Sequence, residues 1–159
     1  MCKKICSAFV VLSILLTIAV AGQKVPAYGI NEIDKISEYL AAHPKDPDPD
    51  TWYDMGFFVN EAGQVNQRSK AILANFLQSA EAGKESAIVF ALLSEEGKAI
   101  LNYISYQDQA FHYVLDMTRS AGGSTSRFPK GQMDYIKCLE SEGQYMVVLT
   151  NADALTFDD

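Results

Sequence analysis

The sequence predicts an α+β domain, an antiparallel β-meander of about five to six strands with one or two helices packed on one face. Three observations predict it. Ile72, Leu73, Phe76, Leu77 and Ala80 repeat at three and four residues and make one apolar helical stripe. Five apolar runs follow, starting at Ser86, Ala99, Phe111, Met133 and Gln144. The turns between most of these runs are too short for the crossovers of a dozen residues or more that parallel strands require.

The chain has 159 residues, 48% of them hydrophobic and 21% charged, which fits one globular core. Its boundaries read as a signal peptide over 1–21, an N-terminal helix and Pro/Asp-rich linker over 22–51, a single α+β domain over 52–150 and an acidic tail over 151–159. Lys3 and Lys4 form a short basic start, Ile5 to Val20 is uncharged and apolar, and Ala19-Val20-Ala21 has the small-x-small form of a cleavage site. This predicts an exported protein acting in the cell envelope or outside the cell. The competing reading is an uncleaved anchor, and contact with a membrane is expected only in that case, because the run is somewhat shorter than the about 20 residues of a spanning helix. A lipoprotein would need a cysteine after the apolar run, where Gly22 stands.

Removing Lys3 and Lys4 lowers the basic residues from 13 to 11 against 20 acidic ones, so the net charge moves from -7 to -9. Basic residues are scattered singly, which argues against nucleic acid and anionic lipid as partners. Cleavage also removes Cys2 and Cys6 and leaves Cys138, so no disulfide can form within the mature chain. Cys138 sits in an apolar run and reads as a buried thiol, with an intermolecular disulfide or a reactive thiol as alternatives.

Taken in order, Gln23 to Tyr28 reads as extended or disordered. Asn31 can cap a helix from Ile33 to Ala42, with Ile33, Ile36, Tyr39 and Leu40 on its apolar face. His43 to Asp50, HPKDPDPD, reads as a solvated linker in which His43 meets water. Asp46, Asp48 and Asp50 resemble the start of a calcium loop, but Thr51 and Phe57 stand where such a loop needs its glycine and its bidentate glutamate. Trp52, Tyr53, Met55, Phe57, Phe58 and Val59 then form either an aromatic ligand platform or a short strand that buries large side chains.

Asn60 to Gly63 reads as a turn. Asn66 or Ser69 caps the second helix, and Gly83 suits the left-handed residue that ends it. Ser86 to Leu93 is apolar on both alternating faces and is expected at the centre of the sheet. Ala99 to Tyr106 follows the turn Ser94 to Gly97. After the turn Gln107 to Gln109, Phe111, Tyr113, Leu115 and Met117 alternate with His112, Val114 and Asp116, which predicts one buried face. Ala121 begins a glycine-rich loop running to about Gly131. Met133 to Leu139 and Gln144 to Thr150 are joined as a hairpin by Glu140 to Gly143.

No assembled catalytic set emerges. His112 and Asp116 share a strand face, which fits a base held by a carboxylate and equally fits a solvated polar face. Ser124 to Ser126 lie in a glycine loop without a nucleophile elbow. Glu95, Glu96, Asp108 and Asp116 could meet at one end of the sheet as acid–base carboxylates, or serve only turn solubility. No cofactor or metal motif is present.

From Asn75 to Gly123 the string NFLQSAEAGKESAIVFALLSEEGKAILNYISYQDQAFHYVLDMTRSAGG resembles a family of secreted bacterial proteins known only as a domain of unknown function, number 4362. Gly83-Lys84 matches its helix-ending step and Glu95-Glu96-Gly97 its acidic turn. His112 to Thr118 matches its third strand, and Gly122-Gly123 the glycine pair after it. Members are often lipoproteins with a second C-terminal cysteine, features this chain lacks. The resemblance implies an exported bacterial domain and no activity.

The expected function is therefore a non-catalytic binding or interaction domain, with an envelope protein or polymer as the kind of partner. A small hydrolase using carboxylates or His112, or an anchored structural protein, are the alternatives. The expected ligand surface combines Trp52, Tyr53, Tyr113 and Arg127 near the Gly122 to Gly131 loop.

Overall fold

A computed structural model describes residues 24–45, 47–94, 99–116, 118–119, 128–141 and 144–151. In chain order the elements are α1 (Ile33–Ala41), α2 (Pro49–Asp54), β1 (Phe58–Glu61), α3 (Gln67–Glu81), β2 (Ser86–Leu93), β3 (Ala99–Gln107), β4 (Ala110–Asp116), β5 (Lys130–Met133), β6 (Tyr135–Ser141) and β7 (Gln144–Thr150). The fold is α+β, as the sequence predicts, but the sheet is mixed. Five strands run in the order β1-β2-β3-β4-β5, and β6 and β7 form a separate two-stranded sheet.

β2 is an interior strand with a neighbour on each side, as its two apolar faces predict, although the centre of the sheet is β3. β2 pairs antiparallel with β3 from Ser86↔Tyr106 to Leu93↔Ala99, and on its other side β1 pairs with it in parallel, Phe58 opposite Phe90. That parallel pair corrects the all-antiparallel meander. The short turns that argued for antiparallel pairing all follow Ser86, whereas β1 reaches β2 through α3, a connection long enough for a crossover. β3 and β4 are joined by Asp108 and Gln109, both with positive φ (50° and 64°), the geometry of a tight two-residue hairpin turn.

The segment ending the expected loop is a strand. β5 pairs with β4, and Gly131 lies opposite Tyr113. A Cβ at Gly131 would stand 2.6 Å from the Tyr113 ring, so glycine lets the ring lie across the edge strand.

Two helix starts also differ from expectation. Pro49 does not continue a linker but occupies the first position of α2, where its fixed φ is already helical. Asp48 caps that helix, its carboxylate accepting from the Thr51 N–H (3.0 Å) and hydroxyl (2.8 Å). These bonds lower the Asp48 pKa. Trp52 and Tyr53 are thus helical, and the strand begins only at Phe58. At α1 the N-cap is Glu32 and not Asn31; the Glu32 carboxylate accepts from the Gly29 N–H and the Lys35 ammonium. Asn66 caps α3 through the Ser69 N–H, and Gly83 follows it with φ 67°, both as expected.

Helices cover both faces of the sheet, not one. On the first face Ile36 and Leu40 of α1, and Trp52 of α2, pack on Val89, Leu101 and Tyr103. On the second, Leu73, Phe76 and Ala80 of α3 pack with Ile88, Phe90 and Phe111, and the β6–β7 hairpin adds Ile136. β4 is therefore buried on both sides, not on the one face that its alternation predicts: His112, Val114 and Asp116 are buried along with Phe111, which rules out the solvated polar face.

Candidate functional site

The residues singled out by their chemistry are placed apart. Trp52 is fully buried and stacks on Phe57 with ring centroids 5.5 Å apart. Tyr53 is buried and donates its hydroxyl to Glu61 at 3.4 Å, while the Arg68 guanidinium lies over its ring. Tyr113 packs with the cluster on the opposite sheet face from Trp52 and Tyr53. Arg127 lies outside the described residues, as do Ser124 to Ser126, Glu95, Glu96 and Asp46. Trp52, Tyr53 and Tyr113 thus form no common ligand surface. The core reading of the Trp52–Val59 aromatics is the one that the packing supports.

Asp116 is a structural anchor. It is 1% exposed, its Oδ1 accepts from the Thr118 N–H (2.9 Å) and hydroxyl (2.6 Å), and its Oδ2 accepts from Arg119 Nε (2.9 Å). Arg119 extends the network to the end of α1, donating to the carbonyls of Leu40, His43 and Pro44. Leu40 is in the last turn of α1, where its carbonyl also accepts from the His43 N–H (3.3 Å), and His43 and Pro44 follow the helix, so one guanidinium ties the chain leaving α1 to a buried carboxylate and balances its charge.

His112 is buried, with no hydrogen-bond partner on Nδ1, and it does not line the cleft described below. Asp108 and Asp116 stand at opposite ends of β4, so these two carboxylates do not meet.

His43 is not solvated as the linker reading expected. Its ring sits edge-on between Tyr39 and Phe57, with centroids 4.8 Å and 4.9 Å away. Burial lowers its pKa, and the nearby Arg119 charge lowers it further. Cys138 is a half-buried free thiol whose pKa is raised by burial, partly offset by a hydrogen bond with Tyr145, and it is thereby held neutral and weakly nucleophilic. Among the described residues no group of three or more His, Cys, Asp or Glu side chains could hold a metal ion. No helix among them is long and apolar enough to cross a membrane.

The site that the fold builds is a cleft of about 540 Å³ between the second face of the five-stranded sheet and β7. Phe58, Phe90 and Ile104 form its floor, and Tyr145, Val147 and Leu149 its hairpin wall. Leu92 and Met146 stand at the rim, 39% and 53% exposed, and they are the large apolar side chains left in solvent among the described residues. None of the described lining residues carries a charge.

One end of the cleft is fastened by specific bonds. The Tyr145 N–H donates to the Gly63 carbonyl (3.1 Å), Asn60 Nδ2 donates to the Tyr145 carbonyl (3.3 Å), and Asn60 Oδ1 accepts from the Gly63 N–H (2.7 Å). Lys70 pairs with Glu140 at 3.2 Å and lies over the Tyr145 ring. Within the cleft Asn102 is the exception: its Oδ1 is buried with no hydrogen-bond partner.

Sequence reasoning missed this site because its two walls come from strands distant in the chain. One signal was legible. In the apolar strand AILNYISYQ, Asn102 places an amide on the face shared with Ile104. No protein family model, curated protein or solved structure matches the chain.

Proposed function

We propose that the chain is an exported bacterial protein that works without catalysis, as a binding domain whose site is the cleft between the five-stranded sheet and β7. The observation that carries the reading is the cleft itself: its volume of about 540 Å³ falls within the few hundred to a thousand Å³ usual for small-molecule sites, and its lining is apolar with a few amides. The basic start, apolar run and Ala19-Val20-Ala21 step support export, and so does the resemblance to a secreted domain of unknown function. A non-catalytic role is favoured because Asp116 is committed to Thr118 and Arg119, and His112 lies outside the cleft.

The test is titration of the protein with Nile red, a neutral apolar dye without a hydrogen-bond donor. Saturable, blue-shifted emission is expected, and Met146→Trp or Leu92→Trp, which fill the mouth from exposed positions, should weaken it at least tenfold. Absence of saturable binding, or equal binding by both variants, would show that the cleft is not the site. Mass spectrometry of the exported protein should find a chain starting near Gly22; a retained first residue would show that the segment is an anchor.

A further inference from the structure

The cleft is apolar but not featureless, and the state of its polar groups restricts what can occupy it. Asn60 is spent, accepting from Gly63 and donating to Tyr145. The Tyr145 N–H is spent on Gly63. Among the described lining residues only Asn102 has a buried side-chain atom, Oδ1, with its acceptor capacity unused, although native folds pair nearly all such atoms. A water molecule is a poor answer here, since an ordered buried water needs two to four polar partners and this part of the cleft offers one amide.

An anion is a poor answer as well, because no described lining residue is cationic and the unused group is itself an oxygen acceptor. A metal cation would have one carbonyl oxygen and no carboxylate. What remains is a neutral, largely apolar molecule with one hydrogen-bond donor. The χ2 torsion of asparagine is soft, so the amide can turn to carry Oδ1 to the incoming group.

We infer that the cleft takes a small neutral alcohol or phenol, its hydrocarbon part against Phe58, Phe90 and Ile104 and its hydroxyl proton donated to Asn102 Oδ1. This rests on the cleft being the binding site. An acceptor atom buried from solvent is costly to leave unmet, so a ligand that supplies the donor is selected over one that cannot.

The test is a matched pair competing with Nile red on the full mature chain: 4-propylphenol, which donates, and 4-propylanisole, which has nearly the same shape, is more apolar and cannot donate. The phenol is expected to bind about tenfold tighter, and in Asn102→Leu that preference should fall to parity or reverse, with Nile red still bound. Without the hydrogen bond the ether, being the more apolar, binds at least as well. Equal or tighter binding of the ether to the wild-type protein would therefore overturn the inference while leaving the cleft as a site. If Nile red itself does not bind, the cleft reading fails and this inference fails with it. The wild-type pair decides the matter even if Asn102→Leu does not fold.

Discussion

Removing one buried hydroxyl should open the edge of the sheet. β1 is the parallel edge strand, and among the described residues no strand lies on the side of Val59 facing away from β2. Ser69, in the first turn of α3 and 0% exposed, substitutes for that strand with a single atom: its Oγ accepts from the Val59 N–H at 2.8 Å and donates to the Val59 carbonyl at 2.9 Å. Ser69→Ala leaves both backbone groups of a fully buried residue without partners. Each unmet buried group costs about 1–3 kcal/mol, and the carbonyl tolerates the loss better than the N–H, so the net loss should be ~2–3 kcal/mol. In a chain of this size that corresponds to a fall in Tm of roughly 5–10 °C. Urea unfolding should show the midpoint drop with an unchanged slope, and amide exchange should accelerate at Val59 more than at Phe90. A loss below about 0.5 kcal/mol, or unchanged protection at Val59, would refute the idea that Ser69 serves as the missing strand.

Arg119→Met leaves the Asp116 carboxylate, 1% exposed, without its cation and strips the carbonyls at the end of α1, so urea unfolding should show a loss of about 3–5 kcal/mol. Adding Asp116→Asn should recover part of that loss, and strict additivity of the two changes would argue against a coupled pair. His43 has a lowered pKa in the fold, so as pH falls below the ordinary value near 6.5 the unfolded chain takes up the proton first. The stabilisation from neutral His43 is therefore present above about pH 6.5 and is lost as pH falls towards the folded-state pKa. The stability difference between wild type and His43→Gln should shrink between pH 7.5 and 5; a constant or growing difference would show that His43 is not the titrating group.

What the sequence made legible was local. Ser86–Leu93 and Gln144–Thr150 appear as strands at the predicted positions, because polar or glycine-bearing turns bracket each apolar run. Asn66 and Gly83 mark the ends of α3 by capping chemistry that acts within a few residues. The misreadings were non-local. No feature of Phe58–Glu61 states that it pairs in parallel with β2, and no feature of β4 states that its polar alternate face lies under α1. Asp116 and His112 looked solvated because their residue types usually are, and it is Arg119 and the end of α1 that make burial of Asp116 tolerable. In HPKDPDPD the prolines read as breakers, although Asp48-Pro49 has the form of a helix start. Of the site, only Asn102 left a trace, since a cleft between α3's face of the sheet and a distant hairpin has no sequence period of its own.

The cleft follows from how the second sheet face is covered. α3 packs on one part of that face, and Phe58, Phe90 and Ile104 line the cleft beneath a two-stranded hairpin that, among the described residues, shares no ladder with the five strands. Two-stranded sheets are marginal alone, so β6 and β7 depend on what fastens them. Among the described residues the fastenings are the backbone bond from Tyr145 to Gly63, the Asn60 side-chain amide on the Tyr145 carbonyl, the partly exposed Lys70–Glu140 pair, buried Ile136, and the partly buried Cys138, Tyr145, Val147 and Leu149 packed on the same core. Surface ion pairs contribute little and the hairpin shares no ladder with the five described strands, so it is held more weakly than the sheet beneath it. A ligand filling the cleft would add apolar contact to both walls at once. Binding should then protect the β6–β7 amides from exchange more than those of β2 and β3, which ties the stability of the hairpin to occupancy of the site.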